Sequence, residues 1–175
     1  MSRNELNSDE LQGTIVEKLA NGEQVFYYTF IPSEIVENSG LPSSLIVGVI
    51  DEQNPTSLPT SDIIHNSLKV NSEFTKMLHS FCAEIIPKQA DFIEKGKNQG
   101  EGWLYIIDQR TLDPHGQVPA HDILGALKIK NGNVGDYKDN PNYRVYSADG
   151  FTNLGPDLNR KFNQYMQNIL RKEPR

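Results

Sequence analysis

Hydrophobic and polar positions follow one another along this chain in two rhythms, strict alternation and helical recurrence, and together they predict most of its elements. The runs TIVEKL and QVFYYTF, rich in β-branched and aromatic residues, flank Asn21-Gly22. That dipeptide tolerates the positive φ of a tight turn, so Gly13 to Phe30 is expected to be a β-hairpin. Pro32 followed by SEIVENSG predicts a short helix stopped at Gly40. LIVGVID, residues 45–51, reads as a buried strand, DEQNPTSLPTSD as a loop and IIHNSLKV as a further strand. Phe74, Leu78, Phe81, Cys82 and Ile85 then share one face of a helix that Ser72 would cap and Pro87 would end. A second helix through Ala90, Phe92 and Ile93 stops at Gly96 or Gly100.

Past these helices, residues 102–109 and Ile123 to Lys130 read as strands, and Asn131-Gly132 turns the second of them toward Val134 and Tyr137. A short strand is expected at Tyr143 to Tyr146. Pro156 suits the first position of a closing helix, whose face carries Leu158, Phe162, Tyr165, Met166, Ile169 and Leu170.

These elements recur. Ile31-Pro32 matches Ile86-Pro87, LIVGVIDEQ (45–53) matches WLYIIDQR (103–110), and Pro59, Asp62 and Ile63 match Pro119, Asp122 and Ile123. Leu68-Lys69-Val70 matches Leu127-Lys128-Ile129, and residues 73–88 lie on 157–172 without a gap. The expectation is an α+β protein of two similar halves produced by internal duplication, each an antiparallel sheet packed on a long amphipathic helix. A polar tail (1–12) would precede a first half (13–87) and a second half (88–175) carrying an inserted hairpin (133–155), all in one compact unit. Against duplication stands the fact that any strand, loop, strand and helix series draws on the same few residue types.

Composition narrows the function. At 175 residues with 37% hydrophobic and 23% charged, the chain has the material for one ordinary domain. Seventeen basic against 23 acidic residues, net −6, repel polyphosphate, so no nucleic-acid partner is expected. No apolar run approaches the roughly 20 residues of a membrane span, and the amino terminus lacks the apolar stretch of a signal peptide. A bacterial cytoplasm and no membrane partner are the expectations. The one cysteine, Cys82, can form neither an intrachain disulfide nor a zinc cluster and is read as a buried thiol.

The candidate chemistry gathers after residue 107. The loop holds Asp108, Arg110, Asp113, His115, His121 and Asp122. Two imidazoles and three carboxylates can ligate a divalent metal that activates water, which makes Asp108, Asp113, His115, His121 and Asp122 the alternative metal set of a hydrolase or small-ligand binder. The structural reading instead makes Asp113-Pro114-His115-Gly116 a turn, gives Asp122 a capping role and pairs Arg110 with a carboxylate. No G-x-S-x-G elbow, cofactor loop or complete catalytic set is present, so no cofactor is expected and a binding role is favoured over an enzyme. Asn140-Pro141-Asn142-Tyr143-Arg144 offers tyrosine and arginine on a rigid loop near Trp103, Tyr137 and Tyr146. The proposed contact surface is Arg110, Tyr137, Tyr143, Arg144 and Tyr146, facing another protein, with self-association through sheet edges as a further reading.

Trp103 to Asp108, Gly116, Val118-Pro119, Gly125, Gly132, Val134, Tyr137 and Asn140 to Arg144 resemble a module of actinobacterial type VII secretion system-associated proteins, some with an enhanced-serine-sensitivity-like domain. The resemblance covers residues 100–147. It departs where Tyr137 stands for the usual tryptophan and Val145-Tyr146 for the serine-proline after the arginine. What the resemblance implies is an accessory or protein-binding role, with no catalytic residues to carry over; the overall expectation is a protein-interaction module, an immunity or secretion-accessory factor.

Overall fold

In the computed structural model, residues 8–51, 64 and 66–172 are described; positions 52–62 of the expected loop, with Pro59 and Asp62, lie outside them, as do Ile63 and His65 of the expected strand. The chain is α+β with antiparallel sheets and forms two compact units, Met1–Thr75 with Leu154–Arg175, and Lys76–Asn153. Among the described residues no helix is long and apolar enough to cross a membrane.

The first unit carries a four-stranded sheet in the order β1-β2-β3-β4: β1 Thr14–Ala20, β2 Glu23–Thr29, β3 Ile46–Ile50 and β4 Leu68–Val70. Asn21 and Gly22 take φ of 54° and 82°, which makes β1 and β2 the expected hairpin. Helix α1 (Ser33–Ser39) begins after Pro32 and ends where the Gly40 N–H bonds to Val36 O. Among the described residues of the stretch that reads as a longer strand, Leu68–Val70 are extended, while Ile64, Asn66 and Ser67 are helical.

Helix α2 (Ser72–Ile85) spans the boundary between the units. Its cap is Asn71, whose Oδ1 accepts the Glu73 N–H at 3.2 Å, so the cap lies one residue before the expected Ser72. The closing helix, labelled α4 (Pro156–Lys172), belongs to the first unit and not to the second half, and there Phe162 packs edge-on against Phe74 at 6.1 Å. Its buried face includes two amides as well as apolar groups. Asn159 Nδ2 donates to Asp9 O, and Asn163 Nδ2 donates to Ser8 O and Glu10 O, each at 3.0 Å. Ser8 to Glu10 are therefore fastened to α4 and do not behave as a free polar tail.

The second unit contains helix α3 (Ala90–Gln99) and a three-stranded sheet in the order β5-β6-β7: β5 Gly102–Ile107, β6 Ile123–Lys130 and β7 Asn133–Asp139. A small hairpin, β8 (Tyr146–Ser147) with β9 (Gly150–Phe151), follows. Gly96 of α3 is buried because a Cβ there would come within 2.9 Å of Val134 and 3.2 Å of Ile129.

Three strands of each unit share one hydrogen-bonding scheme. In β2 and β3, Phe26, Tyr27 and Tyr28 face Ile50, Val49 and Gly48, and a bulge brings Thr29 opposite Ile46. In β5 and β6, Leu104, Tyr105 and Ile106 face Leu127, Ala126 and Gly125, and a bulge brings Ile107 opposite Ile123. The third strands agree as well: Gly48 faces Val70 and Val49 faces Lys69, as Gly125 faces Asp139 and Ala126 faces Lys138. Both glycines are demanded by the close strand, since a Cβ would meet Lys69 O at 2.6 Å and Lys138 O at 2.5 Å.

An asparagine ends each third strand. Asn71 Nδ2 donates to Ser43 O (2.8 Å) and Ile46 O (3.0 Å), and Asn140 Nδ2 donates to Ala120 O and Ile123 O (both 2.8 Å). The accepting carbonyls lie at a 3-10 turn after Pro42 in the first unit and after Pro119 in the second. The correspondence therefore sets β2, β3 and β4 against β5, β6 and β7. Alignment by residue similarity instead sets β3 against β5 and α2 against α4, one strand out of step, and treats β7 as inserted.

Candidate functional site

The loop that follows β5 is closed from within. At the end of that strand Asp108 is fully buried and accepts the Arg110 N–H (3.0 Å) and Asn153 N–H (3.2 Å) on Oδ1 and the Tyr143 hydroxyl (2.6 Å) on Oδ2. A guanidinium has five N–H bonds, and all five of Arg110 are used. Nε donates to Asp122 Oδ1 at 2.9 Å, one terminal nitrogen donates to Val145 O (3.1 Å) and Gly150 O (2.9 Å), and the other to His121 O (3.1 Å) and Arg144 O. Asp122 Oδ2 accepts Thr111 Oγ1 at 2.8 Å. Loop, 3-10 turn and the β8–β9 hairpin are thus tied to one cation.

Burial raises the Asp108 carboxyl above its usual range, offset by the Tyr143 hydroxyl and Arg110, and the same burial drives Tyr143 well above an ordinary phenol. Both groups are held by several fixed partners inside the fold. The arrangement suits anchoring far better than proton transfer.

These facts relocate several of the expected contact residues. Arg110 and Tyr143 are buried, so they cannot meet a partner; their polar atoms are consumed by the fold. Tyr137 is half-buried and donates its hydroxyl to Leu124 O at 2.9 Å, while His79 Nδ1 lies 2.9 Å from the same oxygen. Tyr146 is half-buried and lies against Phe151, with ring centroids 4.3 Å apart. Only Arg144 of the five presents an exposed side chain. Cys82 is buried with its thiol pushed up to about 12, chiefly by desolvation, and is inert as a nucleophile.

Nor does the alternative metal set assemble. Asp113 and His115 are exposed, in the turn closed by the Gly116 N–H on Asp113 O. Among the described residues, the one group of three potential ligands is His121, Asp122 and Asp149. Asp122 already gives one oxygen to Arg110 and the other to Thr111, and a divalent ion there would stand against a fixed guanidinium.

The outer face of the second sheet is different. Successive β5 side chains alternate, so Leu104 and Ile106 turn inward while Trp103 and Tyr105 remain 42% and 58% exposed. Beside them on the same face lie Ala126, Lys128 and Lys138, and the Lys128 ammonium sits 4.9 Å over the Trp103 ring. A groove of about 400 Å³ runs past Trp103, Tyr105, Ile123, Ala126 and Pro141. Neither lysine has an ion-pair partner among the described residues.

No family model, no curated protein and no solved structure matches the chain. What the site can do is therefore argued from its chemistry. Sequence reasoning missed Tyr105 and Lys128 and used Trp103 only as a neighbour. The usable signal was the two-residue period of W-L-Y-I-I, which puts both exposed rings on one side once the apolar partners are assigned to the core.

Proposed function

We propose that this protein is a non-enzymatic protein-interaction module whose contact surface is the outer face of β5, β6 and β7, centred on Trp103 and Tyr105. One observation carries the reading: two large aromatic side chains lie exposed side by side on a rigid strand, flanked by lysines that pair with no carboxylate among the described residues. Exposed aromatics with small neighbours and a charged rim have the anatomy of a binding hot spot. Asp108, Arg110 and Asp122 of the loop beside it are committed to internal bonds, which favours recognition at this face. A place among bacterial secretion-accessory or immunity factors belongs to the same proposal, with the accessory role drawn from the resemblance of residues 100–147 and a cytoplasmic site of action proposed beside it.

Affinity capture from cells expressing the tagged chain tests it. The double variant Trp103→Ala with Tyr105→Ala is expected to lose a protein that the parent and Arg144→Ala both retain, by at least about tenfold. Retention of every captured protein by the double variant sinks the reading.

A further inference from the structure

We infer that the free edge of β5 takes up an extended, acidic segment of a partner protein by antiparallel strand addition, an inference that rests on the protein-binding reading above and names what is bound. The first unit supplies the template. There β2, the counterpart of β5, has β1 on its outer side, with Val16 opposite Tyr27 and Lys18 opposite Val25. Tyr105 and Trp103 occupy the positions of Tyr27 and Val25 in the shared register. Among the described residues no strand of the second sheet stands where β1 would be, and the chain before β5 is helix α3.

The edge is chemically ready for a strand. The Asp108 N–H bonds to Asp122 O at 2.8 Å, which fixes Ile107 and Ile123 as a pair that exchanges no hydrogen bonds of its own. By the alternation of antiparallel pairing, the N–H and C=O of Tyr105 then turn away from β6 toward the open side. Trp103 O turns the same way, and Gln99 Nε2 already bonds to it at 3.0 Å, a side chain standing in for a strand's donor. An edge of this kind, bordered by exposed rings, is the usual template for a peptide that adds as a strand.

Charge decides the chemistry of the occupant. On the first sheet Lys69 is neutralised by Asp51 at 2.6 Å. Along the shared register Lys69 corresponds to Lys138, and Asp51, the residue after β3, corresponds to Lys128. A neutral pair in one unit is a pair of cations in the other, and the Lys128 ammonium leans over Trp103 toward the edge. A strand laid against β5 with a carboxylate opposite Trp103 meets that ammonium. Asp136 lines the same surface but pairs with neither lysine among the described residues, so both cations are open to an acidic partner.

The probe is a synthetic peptide copying residues 13–20 with Lys18→Glu, the changed position lying opposite Trp103; the unaltered peptide is the control. The full chain is titrated with each while amide hydrogen exchange is followed by NMR. The glutamate peptide is expected to slow exchange at the Tyr105 amide and to bind roughly fivefold tighter than the control, the advantage fading at about 0.5 M salt and in Lys128→Glu. Strand addition is overturned if the Tyr105 amide never slows, or if both peptides bind alike. It is equally overturned if the chain sediments as a dimer whose Tyr105 amide is slow without peptide, since a second copy then fills the edge, or if oligothymidine binds tighter than either peptide. Should the aromatic double variant lose its captured partner while no peptide slows Tyr105, strand addition falls and the protein-binding face stands. Retention of every captured protein by that variant removes both.

Discussion

Two three-stranded frames in this molecule have the same register, the same bulge, the same close-approach glycine and the same asparagine strut, yet they are closed in opposite ways. Beneath the first, Leu45 at the 3-10 turn is fully buried and the Thr29 hydroxyl caps its carbonyl at 2.7 Å. Beneath the second, the matching turn residue is Asp122, and Arg110, Asp108 and Tyr143 complete an ionic knot. The difference teaches that backbone pairing here is set by a few positions, Gly48 and Gly125, Asn71 and Asn140, while the side chains that close or cover the frame are free to change character.

The largest effect tests the closure. Arg110→Met leaves Asp108 and Asp122 buried without their cation and is expected to cost about 3–5 kcal/mol in urea unfolding followed by Trp103 fluorescence. Adding Asp122→Leu, which copies Leu45, is expected to recover part of that loss, because an apolar group of similar volume costs nothing to desolvate. If Arg110→Met unfolds at the parent's midpoint, the knot does not hold this unit.

The shared frame is tested next. Gly48→Ala and Gly125→Ala each drive a methyl into a backbone carbonyl, and each is expected to cost about 1–3 kcal/mol. Asn71→Ala and Asn140→Ala each remove two hydrogen bonds to carbonyls and one accepted from a backbone N–H, of Glu73 and Asn142 respectively, about 1–2 kcal/mol. Matched losses in the two units support a common frame. A tolerated alanine at 125 beside an intolerant 48 breaks it.

Much of this frame was readable in the chain, and the unread part has a physical cause. Asn21-Gly22 and Asn131-Gly132 announced their turns, and the helical spacing from Phe74 to Cys82 announced α2, because local backbone preference and burial period act within a few residues. The matching of halves slipped by one strand because LIVGVID and WLYIID are both buried apolar runs, and composition cannot tell which neighbour each run pairs with. Register depended on Gly48, Gly125, Asn71 and Asn140, whose partners lie far off in sequence. The burial of Arg110 and Tyr143 was hidden for the same reason: an arginine and a tyrosine on a polar loop read as surface until Asp108, Asp122 and the hairpin carbonyls converge on them.

A further contrast lies under the sheets, where Tyr137 takes the register position held by Leu68 in the first unit. Burial lowers the pKa of its neighbour His79, with Asp139 opposing. The folded state thus binds the His79 proton less readily than the unfolded chain does. This contribution to stability is intact above the ordinary histidine pKa of about 6.5 and is lost as pH falls below it. Asp108, raised by burial, works in the opposite sense, costing stability as pH rises past the usual carboxylate range. His79→Gln isolates the first effect: its unfolding midpoint is expected to fall less than the parent's between pH 7.5 and pH 5. An unchanged slope excludes His79 as the source.

The smallest effect on stability is the sharpest on recognition. Lys128→Asp restores to the second face the acid that Asp51 provides on the first, diagonal to Lys138 as Asp51 is to Lys69. Exposed pairs contribute under about 1 kcal/mol, and the ammonium removed from the Trp103 ring is worth a similar amount, so the unfolding midpoint is expected to move little. Binding of an acidic strand is expected to fall, since the edge then presents a carboxylate where it had a cation. A variant as stable as its parent that has lost its acidic ligand would separate frame from face: β5, β6 and β7 would keep the architecture of the first unit while a single changed charge decides what they hold. If affinity survives Lys128→Asp, the charge difference between the two faces has no part in selecting a partner, and the exposed rings alone account for binding.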